Sequence, residues 1–233
     1  MQALRGRLDG RAPEEIRELE IERSENSCLL RKYVKIEDTK RFSTCLVIYH
    51  ALEIKKPSPS QPARGIFSVQ TNDRSLQPLL EKIFRKSRAL SLEQLSIVPK
   101  KAVWSVKLDV FVITDEGGAL ELATEGISEV LSSLTLPPVR LFFGHEQVAT
   151  VRKPLPTLFR PRSLTISFLE NGAVYDPLEH EAENSAGTVQ ICASSEKEVV
   201  YMVFAGCVEM DALLREIPNA ISILSKPNGP RES

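Results

Sequence analysis

The clearest hydrophobic pattern in the chain runs from residue 102 to residue 134. In its first part apolar side chains occupy every second position, which is the period of a strand with one buried face. From Leu120 onward they recur every three or four positions, which is the period of an amphipathic helix. Between the two patterns lie Gly117 and Gly118, here called the glycine elbow, which accept the positive φ of a tight turn. The sequence therefore predicts a strand, a turn and a helix whose N-terminus can present N–H groups to an anion.

Shorter patterns predict the remaining strands and helices. Runs rich in Val, Ile, Tyr and Thr predict a β-meander near the start of the chain and a second group of strands near its end. A helix is expected after residue 73, with Asn72 or Asp73 as its N-cap. A final helix is expected at residues 211–224, where Pro218 should kink it or split it. The predicted strands are residues 19–22, 29–36, 42–52, 65–71, 139–143, 147–151, 164–169, 173–175, 188–193 and 199–204, with Gly144, His145 and Glu146 as a hairpin turn.

Two proline-rich stretches divide the chain. Residues 55–64 contain three prolines and are expected to form a surface loop, because proline cannot donate to a β-ladder. The second stretch, PLPTLFRPR, is expected to join two lobes. We therefore predict an N-terminal arm with little core at residues 1–18, a first lobe at residues 19–153 and a second lobe at residues 154–233. A chain of 233 residues is long enough for this organisation to bury a substantial core.

Composition narrows the classes of function. The 30 basic and 31 acidic side chains give a formal net charge of -1, so no global field draws the chain onto nucleic acid or membrane. No apolar stretch approaches the roughly 18 residues of a membrane span, and the N-terminus lacks the apolar core of a signal peptide. The four cysteines, at positions 28, 45, 192 and 207, are far apart in sequence. They are expected to be reduced, mostly buried thiols of an intracellular protein and not a zinc site.

Several segments, taken in order, resemble the RNase PH family, and more narrowly the non-catalytic RNase PH-like ring subunits of the eukaryotic RNA exosome. They are RLDGR at residues 7–11, DTKRFSTCLV at 38–47, the long block at 79–123, LTISF at 164–168 and YDPLEHEAE at 175–183. The resemblance implies an α/β (α+β) fold of mixed and antiparallel sheets with packed helices, in two similar lobes. It also implies a heterodimer with another RNase PH-like subunit within a six-membered ring, RNA-binding cap proteins, RNA in the central channel, and a location in nucleus, nucleolus and cytoplasm.

The resemblance also bears on catalysis. Active relatives perform phosphorolysis of RNA, and a Thr-Arg or similar pair follows their glycines, where it helps to hold phosphate. Here Ala119 and Leu120 offer no side-chain donors, and the following Glu121 would repel an anion. Where active relatives carry a second acid after the aspartate that matches Asp176, this chain has Ala182. We therefore predict a scaffold with no catalytic residues and no cofactor.

Two alternatives to the scaffold stay open. The first is an active phosphate-dependent 3′–5′ exoribonuclease that uses the flanking Glu181 or Glu183 in place of the missing acid. The second, more distant, is a small-molecule kinase, although no serine- and glycine-rich phosphate loop is present.

Basic residues form the other candidate site. Lys82, Arg85, Lys86 and Arg88 cluster at the end of the predicted helix, and Arg64 closes the first proline-rich loop. The resemblance implies that they contact RNA phosphate in the channel, while the alternative is a solvated helix end.

No metal site is predicted. His180 with its neighbouring glutamates is interpreted as a solvated acidic turn, so Glu181→Gln should change little. Asp9 and Asp109 are interpreted as structural residues.

Overall fold

The computed structural model describes residue 7 and residues 9–36, 39–142, 145–148, 153–155, 157–194 and 196–225. Fourteen strands and four α-helices are assigned in this part of the chain. The strands are β1 Glu18–Arg23, β2 Ser27–Ile36, β3 Thr39–Lys55, β4 Ile66–Thr71, β5 Ser96–Val98, β6 Ala102–Thr114, β7 Thr135–Leu136, β8 Val139–Phe142, β9 His145–Val148, β10 Lys153–Pro154, β11 Arg162–Leu169, β12 Gly172–Tyr175, β13 Gly187–Ala193 and β14 Val199–Gly206. The helices are α1 Leu76–Lys86, α2 Ala119–Ser133, α3 Glu179–Glu183 and α4 Met210–Ser225, with a 3-10 turn at Leu92–Leu95.

The first sheet is mixed and has the strand order β1-β2-β3-β6-β4, with β5 also paired to β6. The predicted meander forms its first three strands, which are antiparallel, and β3 is antiparallel to β6. β4 is the parallel strand, because the connection from β4 to β6 crosses over through α1. The second sheet has the order β12-β11-β13-β14 and is antiparallel throughout. The architecture is therefore the α/β (α+β) combination of mixed and antiparallel sheets that the resemblance implies.

Helix α2 connects the two sheets. It contacts β2, β3 and β6 of the first sheet and β11 of the second. Gly126 allows a close approach to the first sheet, since a Cβ there would lie 2.6 Å from Ile48 Cδ1 and 2.7 Å from Leu30 Cδ1. Towards the second lobe, Ser128 Oγ donates to the carbonyl of Pro161 at 2.9 Å, and Ser163 Oγ donates to the hydroxyl of Thr124 at 3.0 Å. The side chains of α2 are accordingly buried on almost every face.

Three predictions about local structure are wrong. The N-cap of α1 is Ser75 and not Asn72 or Asp73. The Asp73 carboxylate instead accepts hydrogen bonds from the N–H and hydroxyl of Ser75, so it forms a turn just before the helix. Pro218 does not split α4, which is one helix with residues on both sides of the proline packed against the second sheet, so only the predicted split is wrong and the predicted kink stays a prediction.

The third wrong prediction concerns the turn of the hairpin, whereas the hairpin itself is confirmed as the antiparallel pair of β8 and β9. His145 and Glu146 belong to β9 and pair with β8 instead of forming the turn. Phe143, Gly144 and residues 149–151, which the prediction also included, lie outside the described residues. The lobe boundaries at residues 18/19 and 153/154 stay predictions.

In the part of the chain that the structure describes, no helix has both the length and the apolar character of a membrane-crossing segment.

The strand at the centre of the first sheet provides a test of its register. Leu108 and Val110 are fully buried, whereas Ile113 on the same strand is 60% exposed. We expect Leu108→Asp or Val110→Asp to lower the free energy of unfolding by roughly 3 kcal/mol or more, because the new carboxylate has no buried partner. Urea unfolding measures this, with Ile113→Asp as the matched control, which should lose about 1 kcal/mol or less. A normal unfolding midpoint for Leu108→Asp would contradict the placement of β6.

Candidate functional site: the glycine elbow and its buried ions

The glycine elbow has the backbone conformation that the sequence predicts. Gly117 has φ 97° and Gly118 has φ 87°, both in the left-handed region, and α2 begins at the next residue. Ala119 and Leu120, the two positions at which the resemblance implies a lost phosphate-binding pair, belong to the hydrophobic core and are almost fully buried. The elbow therefore keeps its shape while the first two side chains of the helix contribute only packing.

Glu121 does not face an open pocket, because it is buried and paired. Its carboxylate accepts hydrogen bonds from the Lys32 ammonium and from the backbone N–H of Thr165. Burial raises the pKa of Glu121, the Lys32 charge lowers it, and the nearby carboxylate of Asp176 raises it again, so that the pKa lies above its usual value. Glu121 thus ties the start of α2 to β2 and to β11.

Asp176 lies at the centre of this network. It is fully buried, and its carboxylate accepts hydrogen bonds from the backbone N–H of Arg17 at 2.8 Å and from the Arg17 guanidinium. The Lys32 Nζ donates to the same carboxylate at 2.7 Å. Burial alone would raise the pKa of Asp176, but the Lys32 ammonium and the Arg17 guanidinium hold it well below its usual range. The residue is therefore an ionised carboxylate in the protein interior.

The charged groups fill the space directly above the elbow. A Cβ added to Gly118 would lie 2.7 Å from Arg17 Nη2, 2.8 Å from Glu121 Oε2 and 2.8 Å from Lys32 Nζ. A Cβ on Gly117 would lie 2.7 Å from the carbonyl oxygen of Pro177. Side chains and the loop after β12 therefore occupy the volume in which an anion at this turn would have to sit.

The N-terminal arm extends the network through buried ion pairs, although none of its described residues joins the buried residues of the hydrophobic cores. Arg7 donates two hydrogen bonds to the Glu181 carboxylate, at 3.0 and 2.8 Å, and Arg11 Nε donates to Asp9 at 2.6 Å. Arg11 also reaches the backbone carbonyl of Asp176 at 3.1 Å. The core of the arm is charged and not apolar, which is why a hydrophobic pattern could not reveal it. Asp9 is structural, as predicted.

The interpretation of Glu181 as part of a solvated turn is also wrong. Glu181 is buried, and besides Arg7 it accepts the backbone N–H of Leu178 at 2.8 Å, which fixes the first turn of α3. The expectation that Glu181→Gln changes little therefore loses its basis. Ala182 lies half-buried on α3, and Glu183 is exposed. The structure brings Glu181 close to the elbow network but not its neighbour Glu183.

The balance of charge decides what this cluster can do chemically. Four cations face four carboxylates: Arg7, Arg11, Arg17 and Lys32 against Asp9, Glu121, Asp176 and Glu181. Binding a dianion here would require at least one cation to leave a buried carboxylate unpaired, which costs several kcal/mol. Within the described residues no group of three or more His, Cys, Asp or Glu side chains is arranged to hold a metal ion.

Arg17 and Lys32 are the residues nearest the elbow that sequence reasoning missed. Lys32 carried a signal, because it occupies the apolar face of β2 between Leu30 and Val34, where a lysine needs a buried partner. Arg17 carried none, since it lies in a segment dense in charged residues and no hydrophobic pattern sets it apart from them.

The basic candidates are only partly brought together. Arg64, Arg85 and Arg88 line one cleft beside α1. Lys82 turns away and places its ammonium 4.8 Å from the centre of the Tyr201 ring, and Lys86 is exposed outside the cleft. Contact of these five residues with RNA stays a prediction.

The cysteines differ in their surroundings. Cys28, Cys45 and Cys192 are buried cysteines, and burial raises the pKa of Cys192 to about 12. Cys207 is exposed, so the expectation of burial is wrong for this residue. Burial also raises the pKa of Cys45, so neither Cys45 nor Cys192 has the low pKa of a nucleophilic cysteine.

The pH dependence of stability tests the ionisation of Asp176. Its folded-state pKa lies below the unfolded value of about 3.9, so the carboxylate stabilises the fold above that pH and this contribution is lost as pH falls below about 4. The folded-state pKa of Glu121 lies above its unfolded value of about 4.3. Its ionisation therefore lowers the stability of the fold, and it does so only above that pH. We expect urea unfolding between about pH 2 and 4 to show a steep loss of stability that flattens in Asp176→Asn.

The half-exposed Asp109 supplies the matched control, since Asp109→Asn should show the same loss of stability at acid pH as the wild type. If Asp176→Asn loses stability at acid pH as steeply as the wild type, the proposed ionisation of Asp176 is contradicted. At neutral pH the same substitution should cost about 3 kcal/mol, because Lys32 and Arg17 lose their shared partner.

Known proteins resemble this chain both in sequence and in fold. No protein-family model matches the sequence. The exosome complex component rrp45 of Schizosaccharomyces pombe is 27% identical over 228 residues, which cover 88% of this chain and 76% of that relative. The exosome complex component Rrp42 of Thermococcus kodakarensis is 28% identical over 209 residues, covering 79% of this chain and 74% of that relative.

Two solved structures share the fold of this chain. An archaeal exosome core superimposes with a TM-score of 0.76 at 23% identity, covering 94% of this chain and 88% of the other. The Rrp46 protein of rice superimposes with a TM-score of 0.66 at 13% identity, covering 94% of this chain and 96% of the other. The chain thus has the RNase PH-like fold and is a relative of the exosome ring components.

Proposed function

We propose that this chain is a non-catalytic subunit of an exosome-type ring, where it helps to form the channel that threads RNA for 3′–5′ processing and degradation. The relatives named as exosome complex components support the assignment to such an assembly. The lack of catalysis is carried by one observation, the buried ion network that fills the space above the glycine elbow.

The chemistry of phosphorolysis explains why this observation matters. Inorganic phosphate must enter a pocket of converging donors and positive charge before it can attack a phosphodiester. In this chain the donors of Arg17 and Lys32 are already committed to Asp176 and Glu121. Ala119 adds no donor where the helix begins, and Ala182 adds no acid. The alternative, an active phosphate-dependent exoribonuclease, would require the network to open.

Exposed apolar surface supports assembly with other subunits. The outer face of the first sheet carries four large apolar side chains that are between 46% and 60% exposed: Phe42, Tyr49, Phe111 and Ile113. The rings of Tyr49 and Phe111 are in contact, with their centres 5.9 Å apart. We call these four residues the outer sheet patch. Exposed apolar patches of this kind mark protein interfaces.

The charges around the outer sheet patch are largely satisfied by one another. Arg31 pairs with Glu20 and Glu22, and Lys107 pairs with Asp109. A surface of this kind resembles the apolar centre and polar rim of a protein interface more than a nucleic-acid surface. A second apolar group lies on β14 and the start of α4, at Met202, Val203, Phe204, Met210 and Leu214.

Two separate apolar surfaces suit a ring subunit, because each member of a closed ring contacts two neighbours through different faces. The proposed partners are other RNase PH-like exosome subunits, one of them paired as a heterodimer within a six-membered ring, together with RNA-binding cap proteins. RNA would pass through the assembled channel. The proposed location is inside the cell, in nucleus, nucleolus and cytoplasm.

A phosphorolysis assay tests the lack of catalysis. Incubated with RNA and inorganic phosphate, alone or assembled with partner subunits, the chain should add no release of nucleoside diphosphates. A phosphorolytic exoribonuclease serves as the positive control. Release that disappears in Asp176→Asn or Glu181→Gln, in protein that remains folded, would establish the alternative.

Co-elution with partner subunits tests the assembly. The wild type should elute with them as one large complex, and the double variant Phe111→Asp with Ile113→Asp should elute as a monomer of unchanged secondary structure, because two carboxylates would have to be buried at the interface. Gln70→Asp, at an exposed position of the same sheet, is the matched control and should still assemble. A wild-type chain that stays monomeric with every partner would refute the ring assignment.

A further inference from the structure

The first proline-rich loop, at residues 55–64, contains the one serine or threonine of the sequence that directly precedes a proline. This residue is Ser58, and Pro59 follows it. Proline fixes its own φ and has no N–H, and it restricts the residue before it to an extended backbone. The Ser58-Pro59 pair is therefore a local shape that an enzyme can recognise without reading many other side chains.

Ser58 is accessible and weakly held. Its side chain is exposed, and among the described residues its Oγ has one hydrogen-bond partner, Ser60 Oγ at 2.9 Å. The N–H of Gln61 donates to the carbonyl of Ser58 at 3.0 Å and forms a turn. The N–H groups of Ser58 and Ser60 donate to no group that the structure describes. A segment with so few bonds can open into an extended strand at small cost.

The two ends of the loop are fixed to the first sheet. Strand β3 ends at Lys55, which is paired with Val103 of β6. On the other side, the N–H of Lys100 donates to the carbonyl of Pro62 at 2.7 Å. The turn before β6, which carries Lys100 and Lys101, therefore lies directly against the loop.

Positive charge is in excess around the loop. Four exposed lysines flank it, with Lys55 and Lys56 at its start and Lys100 and Lys101 beside it. Lys55 forms an ion pair with Glu53 at 2.7 Å. The other three lysines form no ion pair with any residue that the structure describes. An anion placed on the loop would therefore find ammonium groups that are not already paired.

The acids beside the loop are paired already. Glu53 is held by Lys55, and Glu93 lies 2.9 Å from the guanidinium of Arg64. Lys100 in addition has φ 66°, in the left-handed region where glycine is the usual residue. A lysine at this position strains the backbone, and it places a cation where a glycine would place none.

We propose that Ser58 is a phosphorylation site for a proline-directed serine/threonine protein kinase, and that Lys56, Lys100 and Lys101 hold the resulting phosphate. In the reaction, Ser58 Oγ bonds to the γ-phosphorus of ATP while the bond from that phosphorus to the bridging β,γ-oxygen breaks. ADP leaves, and the hydroxyl proton passes to the carboxylate base of the kinase. The proposal depends neither on ring assembly nor on the RNA contact predicted for other basic residues.

The charges determine what the modification does. A phosphoserine carries a charge of about −1.5 to −2 at neutral pH, so it would reduce three unpaired positive charges to about one. Pairing with ammonium groups orders the exposed part of the loop. It also favours the dianion, so the second pKa of the phosphate falls below its usual value of about 6. Phosphorylation would thus convert this end of the first sheet from basic to nearly neutral.

Transfer of phosphate to the purified full chain tests the site. The reagents are a proline-directed kinase and ATP, and mass spectrometry of proteolytic fragments locates the phosphate. We expect phosphate at Ser58, none on the loop of Ser58→Ala, and a rate lower by about tenfold or more in Pro59→Ala. Ser60→Ala removes the neighbouring hydroxyl and is the matched control, which should be phosphorylated nearly as the wild type is.

A ³¹P NMR titration of the phosphorylated chain tests the role of the lysines. We expect a second phosphate pKa of about 5.5 or below, which returns towards about 6 in the double variant Lys100→Gln with Lys101→Gln. Lys40→Gln, at the opposite end of β3, is the matched control and should leave this pKa unchanged. All the substituted side chains are exposed, so far-UV circular dichroism should not change. Absence of phosphate at Ser58, transfer chiefly to Ser60, or a wild-type phosphate pKa of about 6 would overturn the inference.

Discussion

The interior of this protein is organised around a carboxylate that could not be buried by itself. An ionised Asp176 in a dry interior is stable only with cations and hydrogen-bond donors directly against it, because its desolvation costs several kcal/mol. Those partners come from distant parts of the chain: Arg17 from the N-terminal arm and Lys32 from β2. Glu121 on α2 shares the same lysine. One electrostatic requirement therefore fastens the arm, the first sheet, the connecting helix and the second lobe together.

The same requirement explains how the fold would be kept under the proposed loss of catalysis. The strand, the glycine elbow and the helix are backbone features, and they need only glycine at two positions and apolar side chains at the helical spacing. Anion binding needs donors that are not already paired. Here the positive groups nearest the elbow are paired with Asp176 and Glu121, and the proposed lack of phosphate binding rests on that pairing. Fold and activity are separable for this physical reason.

The surfaces of the molecule follow a related division. Around the outer sheet patch the charges pair with one another and leave apolar side chains exposed, as at Tyr49 and Phe111. At the cleft beside α1 the reverse holds, because Arg85 and Arg88 remain unpaired over an apolar floor. A neutral apolar face is suited to a broad subunit interface. The buried charges of the elbow network are paired within the fold, whereas Arg85 and Arg88 have no partner among the residues that the structure describes.

The sequence by itself determined the elements whose signal is local. The alternation in β6, the helical spacing of α2 and the two glycines between them are written in consecutive residues, so strand, elbow and helix were predictable. The replacements at Ala119 and Ala182 were likewise visible, because they are properties of single positions within recognisable segments. The mixed and antiparallel sheets followed from the family resemblance.

Only the tertiary structure decided which charges meet. Asp176 and Arg17 are separated by 159 positions, and no periodicity links them. Glu181 and the arm were interpreted as solvated because charged segments usually are, and it is long-range pairing that buries them. The N-cap at Ser75 and the continuous helix through Pro218 were decided in the same way, by neighbouring turn geometry and by packing on the second sheet. Local pattern fixes backbone elements because its energy is local, whereas charge pairing depends on distances that exist only after folding.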